Sequence, residues 1–148
     1  MYNLNLPPTN LNIKKKSDKK YVFDRLRKQY VCLTPEEWVR QHFINYLIRY
    51  KNYPEGLLTN EIHIKVGKII CRCDTVLYNI SLRAQMIIEY KSPITVLTRK
   101  CFEQIIRYNM NLKVSWLIIS NGMQHYCCRI NKNGEYTFLK KIPEYSDL

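Results

Sequence analysis

The sequence has no C-x-x-C pair, no phosphate-binding G-x-x-x-x-G-K-[ST] loop, no apolar run of membrane-helix length, and only 4 glycines in 148 residues. Each absence excludes something. Cys32, Cys71, Cys73, Cys101, Cys127 and Cys128 lack the spacing of a zinc ribbon or finger, so reduced thiols acting as small hydrophobes are expected, against a metal cluster assembled from distant positions. Gly67-Lys68 is followed by Ile69 and has no first glycine of a phosphate loop, so no ATP-driven motor is expected. A membrane helix needs about 20 apolar residues. Met1 leads into Tyr-Asn-Leu-Asn rather than a basic segment and an apolar core, so a cytoplasmic protein without membrane association is expected. Glycine and proline are too sparse for a long linker and no repeat is visible. The length fits one domain able to bury roughly 70% of its unfolded surface.

Acidic residues are also scarce, 12 against 24 Lys plus Arg, for a formal net charge of +12. Polyanions are the favoured partners, nucleic acid first. Charge of this kind argues for binding and is silent on chemistry.

Along the chain, residues 1–20 read as a flexible or extended basic arm, with Lys14, Lys15 and Lys16 either simply solvated or touching phosphates. Residues 21–148 read as one domain. Tyr21-Val22-Phe23 and Tyr30-Val31-Cys32-Leu33 suggest two short strands joined by a basic loop. Thr34-Pro35-Glu36-Glu37 has a helix N-cap, a proline at the first helical position and a glutamate completing a capping box. Val39, Phe43, Tyr46, Leu47 and Tyr50 then recur at helical spacing, and Glu36 can pair with Arg40. The alternation in Glu61 to Val66 predicts a strand sending Ile62, Ile64 and Val66 to the core, with a two-residue turn at Gly67-Lys68 and a second strand at Ile69 to Tyr78. His42, His63 and His125 have no metal-ligand pattern beside them and read as surface or hydrogen-bonded structural residues. A helix over about Thr98 to Asn111 carries Phe102, Ile105, Ile106 and Met110 on one side, a Glu103–Arg107 pair, and Gln104 and Tyr108 on one face. Val114 to Ile119 is a nearly continuous apolar run, the mark of a strand buried on both faces and paired in parallel. Turns at Asn121-Gly122 and Asn133-Gly134 bound the last two strands. The order helix, three strands, helix, strand, hairpin predicts an α/β (α+β) fold with a mixed β-sheet flanked by helices.

One stretch organises the rest. In Met86-Ile87-Ile88-Glu89-Tyr90-Lys91, strand alternation puts Glu89 and Lys91 on one face and Ile88 and Tyr90 on the other. Asp is depleted in strands, yet Asp74 lies mid-strand upstream. A hairpin turning at Ser81-Leu82 sets Asp74 directly opposite Glu89. Two opposed carboxylates repel unless something compensates, and a divalent cation is the simplest compensation. The bland alternatives are an edge-strand ion pair of Glu89 with Lys91 or Arg72, and for Glu37 a capping role alone.

The series Asp74, Glu89-Tyr90-Lys91, Gln104-x-x-x-Tyr108 resembles the PD-(D/E)xK nuclease superfamily. Leu33-Thr34-Pro35-Glu36-Glu37-Trp38-Val39-Arg40-Gln41-His42-Phe43, with Pro93, Tyr108-Asn109-Met110 and Asn121-Gly122-x-Gln124-His125-Tyr126, is similar to small bacterial proteins grouped with the N-terminal domain of type I restriction enzyme R subunits. The resemblance covers nearly the whole chain beyond the arm. It implies a restriction-endonuclease-like core in which Asp74, Glu89 and the backbone carbonyl of Tyr90 ligate magnesium, with manganese as a substitute ion. It further implies that Lys91 orients the attacking water and that Glu37 is an additional acidic residue. Gln104 and Tyr108 would steady the site or touch DNA. Cys73 and Tyr90 depart from the family pattern but belong to the opposite face. Two functions follow as expectations: a magnesium-dependent DNA nuclease domain without a helicase motor, or a catalytically weak module of the same fold that binds nucleic acid or a partner protein of a restriction or DNA-processing system.

Overall fold

The computed structural model describes residues 2–148, apart from the side chains of Val66, Cys71, Arg107, Tyr108, Met110 and Asn111. Among the described residues, β1 (Ile13–Lys16), β2 (Lys19–Asp24) and β3 (Gln29–Cys32) form a three-stranded antiparallel meander. Residues 13–16, expected in a flexible or extended arm, are thus a strand hydrogen-bonded to β2.

Helix α1 (Pro35–Tyr50) starts as its sequence requires, with the Thr34 hydroxyl accepting from the Glu37 amide. Only half of the expected capping box forms. The Thr34 amide donates to the Cys32 carbonyl, and the Glu37 carboxylate is engaged elsewhere. Arg40 likewise pairs with Glu37 and not with Glu36, because i,i+3 on this face points into the protein while Glu36 stays exposed.

The main sheet runs β4 (Leu58–Val66), β5 (Ile69–Tyr78), β6 (Ala84–Tyr90), β7 (Trp116–Ser120), β8 (His125–Ile130) and β9 (Tyr136–Leu139), neighbours in that order among the described residues. Helix α2 (Arg99–Leu112) crosses from β6 to β7, and the two strands pair in parallel while the other pairs are antiparallel. The Gly67-Lys68 turn closes the β4–β5 hairpin with Gly67 at φ +60°, a conformation glycine adopts without cost. This is the α/β arrangement of a restriction-endonuclease-like core.

Both faces of the sheet are covered. On one, Val39, Phe43 and Leu47 of α1 pack on Met86, Ile88, Tyr90, Trp116 and Ile118. On the other, Phe102 and Ile105 of α2 pack on Val76, Ile87, Leu117 and Ile119. Burying each such side chain contributes about 1.5–3 kcal/mol. β7 is buried throughout, as its continuous apolar run requires. Ile62 and Ile64 are half-buried against the α2 cluster, while the expectation for Val66 falls on a side chain outside the described residues. Expected to pair with Arg107, whose side chain also lies outside them, Glu103 meets Arg99 at 3.2 Å. No helix among the described residues is long and apolar enough to cross a membrane.

Candidate active site

The β5–β6 register pairs Thr75 with Ile88 and Val76 with Ile87, so one step further along the hairpin Asp74 stands opposite Glu89. The middle of β5 is locked to the end of β6: the Tyr90 amide donates to Asp74 Oδ2 at 2.9 Å. Lys91 follows β6, and its Nζ donates to Glu89 Oε1 at 2.9 Å across the two-residue step that places both on one face. The ion-pair reading of Glu89 with Lys91 therefore holds geometrically, and it draws the ammonium to the acid pair. Arg72 bonds Glu61 at 2.7 Å instead of Glu89.

Burial pushes the Glu89 carboxyl above its ordinary range, the neighbouring Asp74 charge pushes it the same way, and Lys91 only partly offsets them. For Lys91 burial works against the ammonium, but the bond to Glu89 outweighs it and the group stays charged.

Helix α1 delivers a second set of charges. Glu37 is buried, accepting from Arg40 Nη1 at 2.8 Å, Gln41 Nε2 at 2.8 Å and Arg27 Nη2 at 2.9 Å. Arg40, 4% exposed, extends its other nitrogen to Asp74 Oδ1 at 3.1 Å and Glu61 Oε1 at 2.6 Å. Its guanidinium carbon lies 5.6 Å from the centre of the Tyr90 ring. One guanidinium thus joins three acids from α1, β4 and β5, a use its rigid fork suits and a lysine would not. Arg40 is the residue that sequence reasoning missed as part of the site. Its burial among acids becomes visible only when α1 is laid on the sheet, and the sequence had offered an exposed partner in Glu36.

Glu61 was also unforeseen. It faces Asp74 in the β4–β5 ladder, between the pairs Asn60–Thr75 and Ile62–Cys73, and has φ +51°. A non-glycine residue held there costs about 1–3 kcal/mol. The kink goes with a change of side: Leu77 packs in the α1 cluster, Cys73 in the α2 cluster, although strand alternation alone would put both on one face. Burial pushes the Glu61 carboxyl up, but Arg72 and Arg40 outweigh it and leave it below the ordinary range.

A cavity of about 450 Å³ is lined by Glu37, Arg40, Glu61, Arg72, Asp74, Glu89 and Tyr90, and by Cys32, Thr34 and Glu36 at its rim. Of the residues singled out in the sequence, it gathers Glu37, Asp74, Glu89 and Tyr90, with Lys91 attached through Glu89. Gln104 is exposed on α2, and no hydrogen bond among the described residues joins it to this cluster. The Tyr108 side chain lies outside the described residues. Lys14, Lys15 and Lys16 are exposed on β1, and among the described residues none forms an ion pair with these acids.

Among the described residues, no group of three His, Cys, Asp or Glu side chains is already gathered as a metal cluster. The histidines are structural: Nδ1 of His42 reaches the Trp38 carbonyl at 2.8 Å, and His125 bridges Ser120 Oγ and the Asn5 carbonyl at 2.7 and 3.0 Å. His63 is exposed. Cys32, Cys101, Cys127 and Cys128 are free thiols.

In comparison with known families, the model of the type I restriction enzyme R protein N terminus matches residues 35–143. No curated protein matches the chain.

Proposed function

Because the chain belongs to the family of the type I restriction enzyme R protein N terminus, we propose that its acid cavity is a magnesium-dependent nuclease site that hydrolyses DNA phosphodiesters. The observation that carries this reading is the apposition of Asp74 in mid-β5 and Glu89 at the end of β6, with Lys91 bonded to Glu89. The donor set suits a hard cation: two carboxylates close enough that one raises the proton affinity of the other, a repulsion that a divalent ion relieves. Asp74, Glu89 and the Tyr90 carbonyl would hold the ion, which when bound polarises a phosphoryl oxygen and lowers the pKa of its water.

The chain's own groups supply the rest. Lys91, kept protonated by Glu89, stabilises charge developing on the scissile phosphate and orients the attacking water. The Tyr90 amide fixes the Asp74 rotamer, so the acid is positioned before substrate arrives. Glu37 acts through Arg40, holding the guanidinium that balances Asp74.

One observation favours a second reading. Arg40 already gives Asp74 a buried positive partner, as in a module that keeps the fold to bind nucleic acid or a restriction-system partner with little catalysis. Incubation of plasmid and single-stranded DNA with magnesium or manganese separates the two. The nuclease reading expects cleavage by the wild type and a loss of about a hundredfold or more in Asp74→Ala and Lys91→Ala. Equal DNA binding by all three proteins with no cutting by any would leave the binding module.

A further inference from the structure

We infer that the outer face of the β1–β3 meander is a docking platform for single-stranded nucleic acid, leading into the acid cavity. The meander precedes the family-matched region, which begins at residue 35. Its inner face is set by Val22 and Asp24, both fully buried. Alternation then turns Lys19, Tyr21 and Phe23 outward on β2, and the register adds Lys16 opposite Lys19, Lys14 opposite Tyr21 and Tyr30 opposite Phe23.

Two features mark this face as incomplete without a polyanion. Lys16 stands directly opposite Lys19, and on the inner side Lys15 stands opposite Lys20. Like charges so placed destabilise a sheet. Among the described residues, no carboxylate forms an ion pair with any of these lysines or with Lys14, and Asp18 at the turn is the one acid between Thr9 and Phe23. The second feature is the interleaving of rings with charge. Phe23 and Tyr30 meet edge to face at 5.3 Å, and Lys14 Nζ sits 3.6 Å from the Tyr30 centroid. All three rings are half-buried, none belonging to either core cluster. Alternating cations and rings on a sheet face suit an unpaired strand, whose phosphates meet the lysines while its bases stack. A duplex hides its base faces and would use only the charge.

The platform is continuous with the cavity. Cys32 continues the row Lys14–Tyr21–Cys32 across the meander and lines the cavity rim. Arg27, from the β2–β3 loop, ties the meander to the site through Glu37 at 2.9 Å. The inference rests on the proposed function only in naming the cavity as the destination, since binding is measured without cleavage.

The test is fluorescence anisotropy of the full chain with a labelled oligothymidylate of about 15 nucleotides in EDTA. The triple variant Lys14→Ala, Lys16→Ala, Lys19→Ala is compared with Lys132→Ala, Lys140→Ala, Lys141→Ala, which removes the same charge from exposed positions elsewhere. The platform variant should flatten the salt dependence by about two in log–log slope, so that the wild type loses about tenfold more affinity than the variant between 50 and 200 mM salt. The control variant should not. Tyr21→Leu should weaken binding by about fivefold or more and Tyr21→Phe should preserve it. Equal losses in both triple variants, an unaffected Tyr21→Leu, or a duplex binding as tightly as the single strand would overturn the inference. Binding that follows these expectations in a protein that cuts nothing with magnesium would uphold the platform and sink the nuclease.

Discussion

Arg40 and Asp24 show how much of this fold depends on single buried charges. Arg40 balances Glu37, Glu61 and Asp74 at once, so Arg40→Met leaves three acids without their shared cation. Urea unfolding at neutral pH should register a loss of about 3–5 kcal/mol. Asp24, fully buried, accepts from the Asn60 side chain at 2.8 Å, from the Leu26 and Arg27 amides at 2.8 and 3.1 Å, and from the Arg27 guanidinium. Burial raises its proton affinity, but these bonds outweigh burial and hold the carboxyl below its ordinary 3.8. The folded state therefore binds this proton less tightly than the unfolded chain. The resulting stability is present above pH 3.8 and is lost as pH falls through the lower folded value. Asp24→Asn should be less stable than wild type at pH 7, and its stability should fall less steeply below pH 4, about 1.4 kcal/mol less for each pKa unit of the native shift. Thermal melts across pH check this. Neither network was legible in sequence, because Asp24 reads there as part of a basic loop and its partner Asn60 lies 36 residues away.

At the scale of elements, local chemistry wrote itself plainly into the sequence. The cap, proline and apolar spacing of α1 gave its limits, and Thr34→Ala should cost about 1 kcal/mol in chemical denaturation. The E-x-K strand and its opposed aspartate followed from period-two alternation, which needs no tertiary information. The N-terminal segment is different. It is held by contacts that only the folded chain brings together: the Asn5 amide donates to the Gly122 carbonyl at 2.8 Å, and Trp38 Nε1 donates to the Tyr2 carbonyl at 3.0 Å. Gly122 sits at φ +82°, and a Cβ there would lie 2.7 Å from Leu4 Cδ2. Gly122→Ala should therefore destabilise by more than about 1 kcal/mol and speed proteolysis before Ile13, read by mass spectrometry of early fragments.

At the scale of the whole molecule, the six-stranded sheet lies between α1 and α2, and Cys127 and Cys128 report on both faces. Adjacent in β8, they point to opposite faces, Cys127 into the α1 cluster and Cys128 into the α2 cluster. Burial pushes their thiols up to about 12 and about 11, leaving almost no reactive thiolate at neutral pH. Because β6 and β7 serve both layers, the two layers are expected to open together. Thiol labelling in increasing urea should modify both cysteines at one midpoint that coincides with the loss of tryptophan fluorescence, whereas exposed Cys32 should react in native protein.

By itself the sequence determined the order of helices and strands from α1 onward, the parallel buried strand, and the meeting of Asp74, Glu89 and Lys91, because each follows from periodicity or short-range register. Only the tertiary structure decided which charge answers those acids. Arg40 and Glu61 come from α1 and a kinked β4, and the basic hairpin becomes a face instead of an arm once β3 pairs beside β2. Those choices depend on how layers pack, and packing joins residues whose separation along the chain carries no periodic signal.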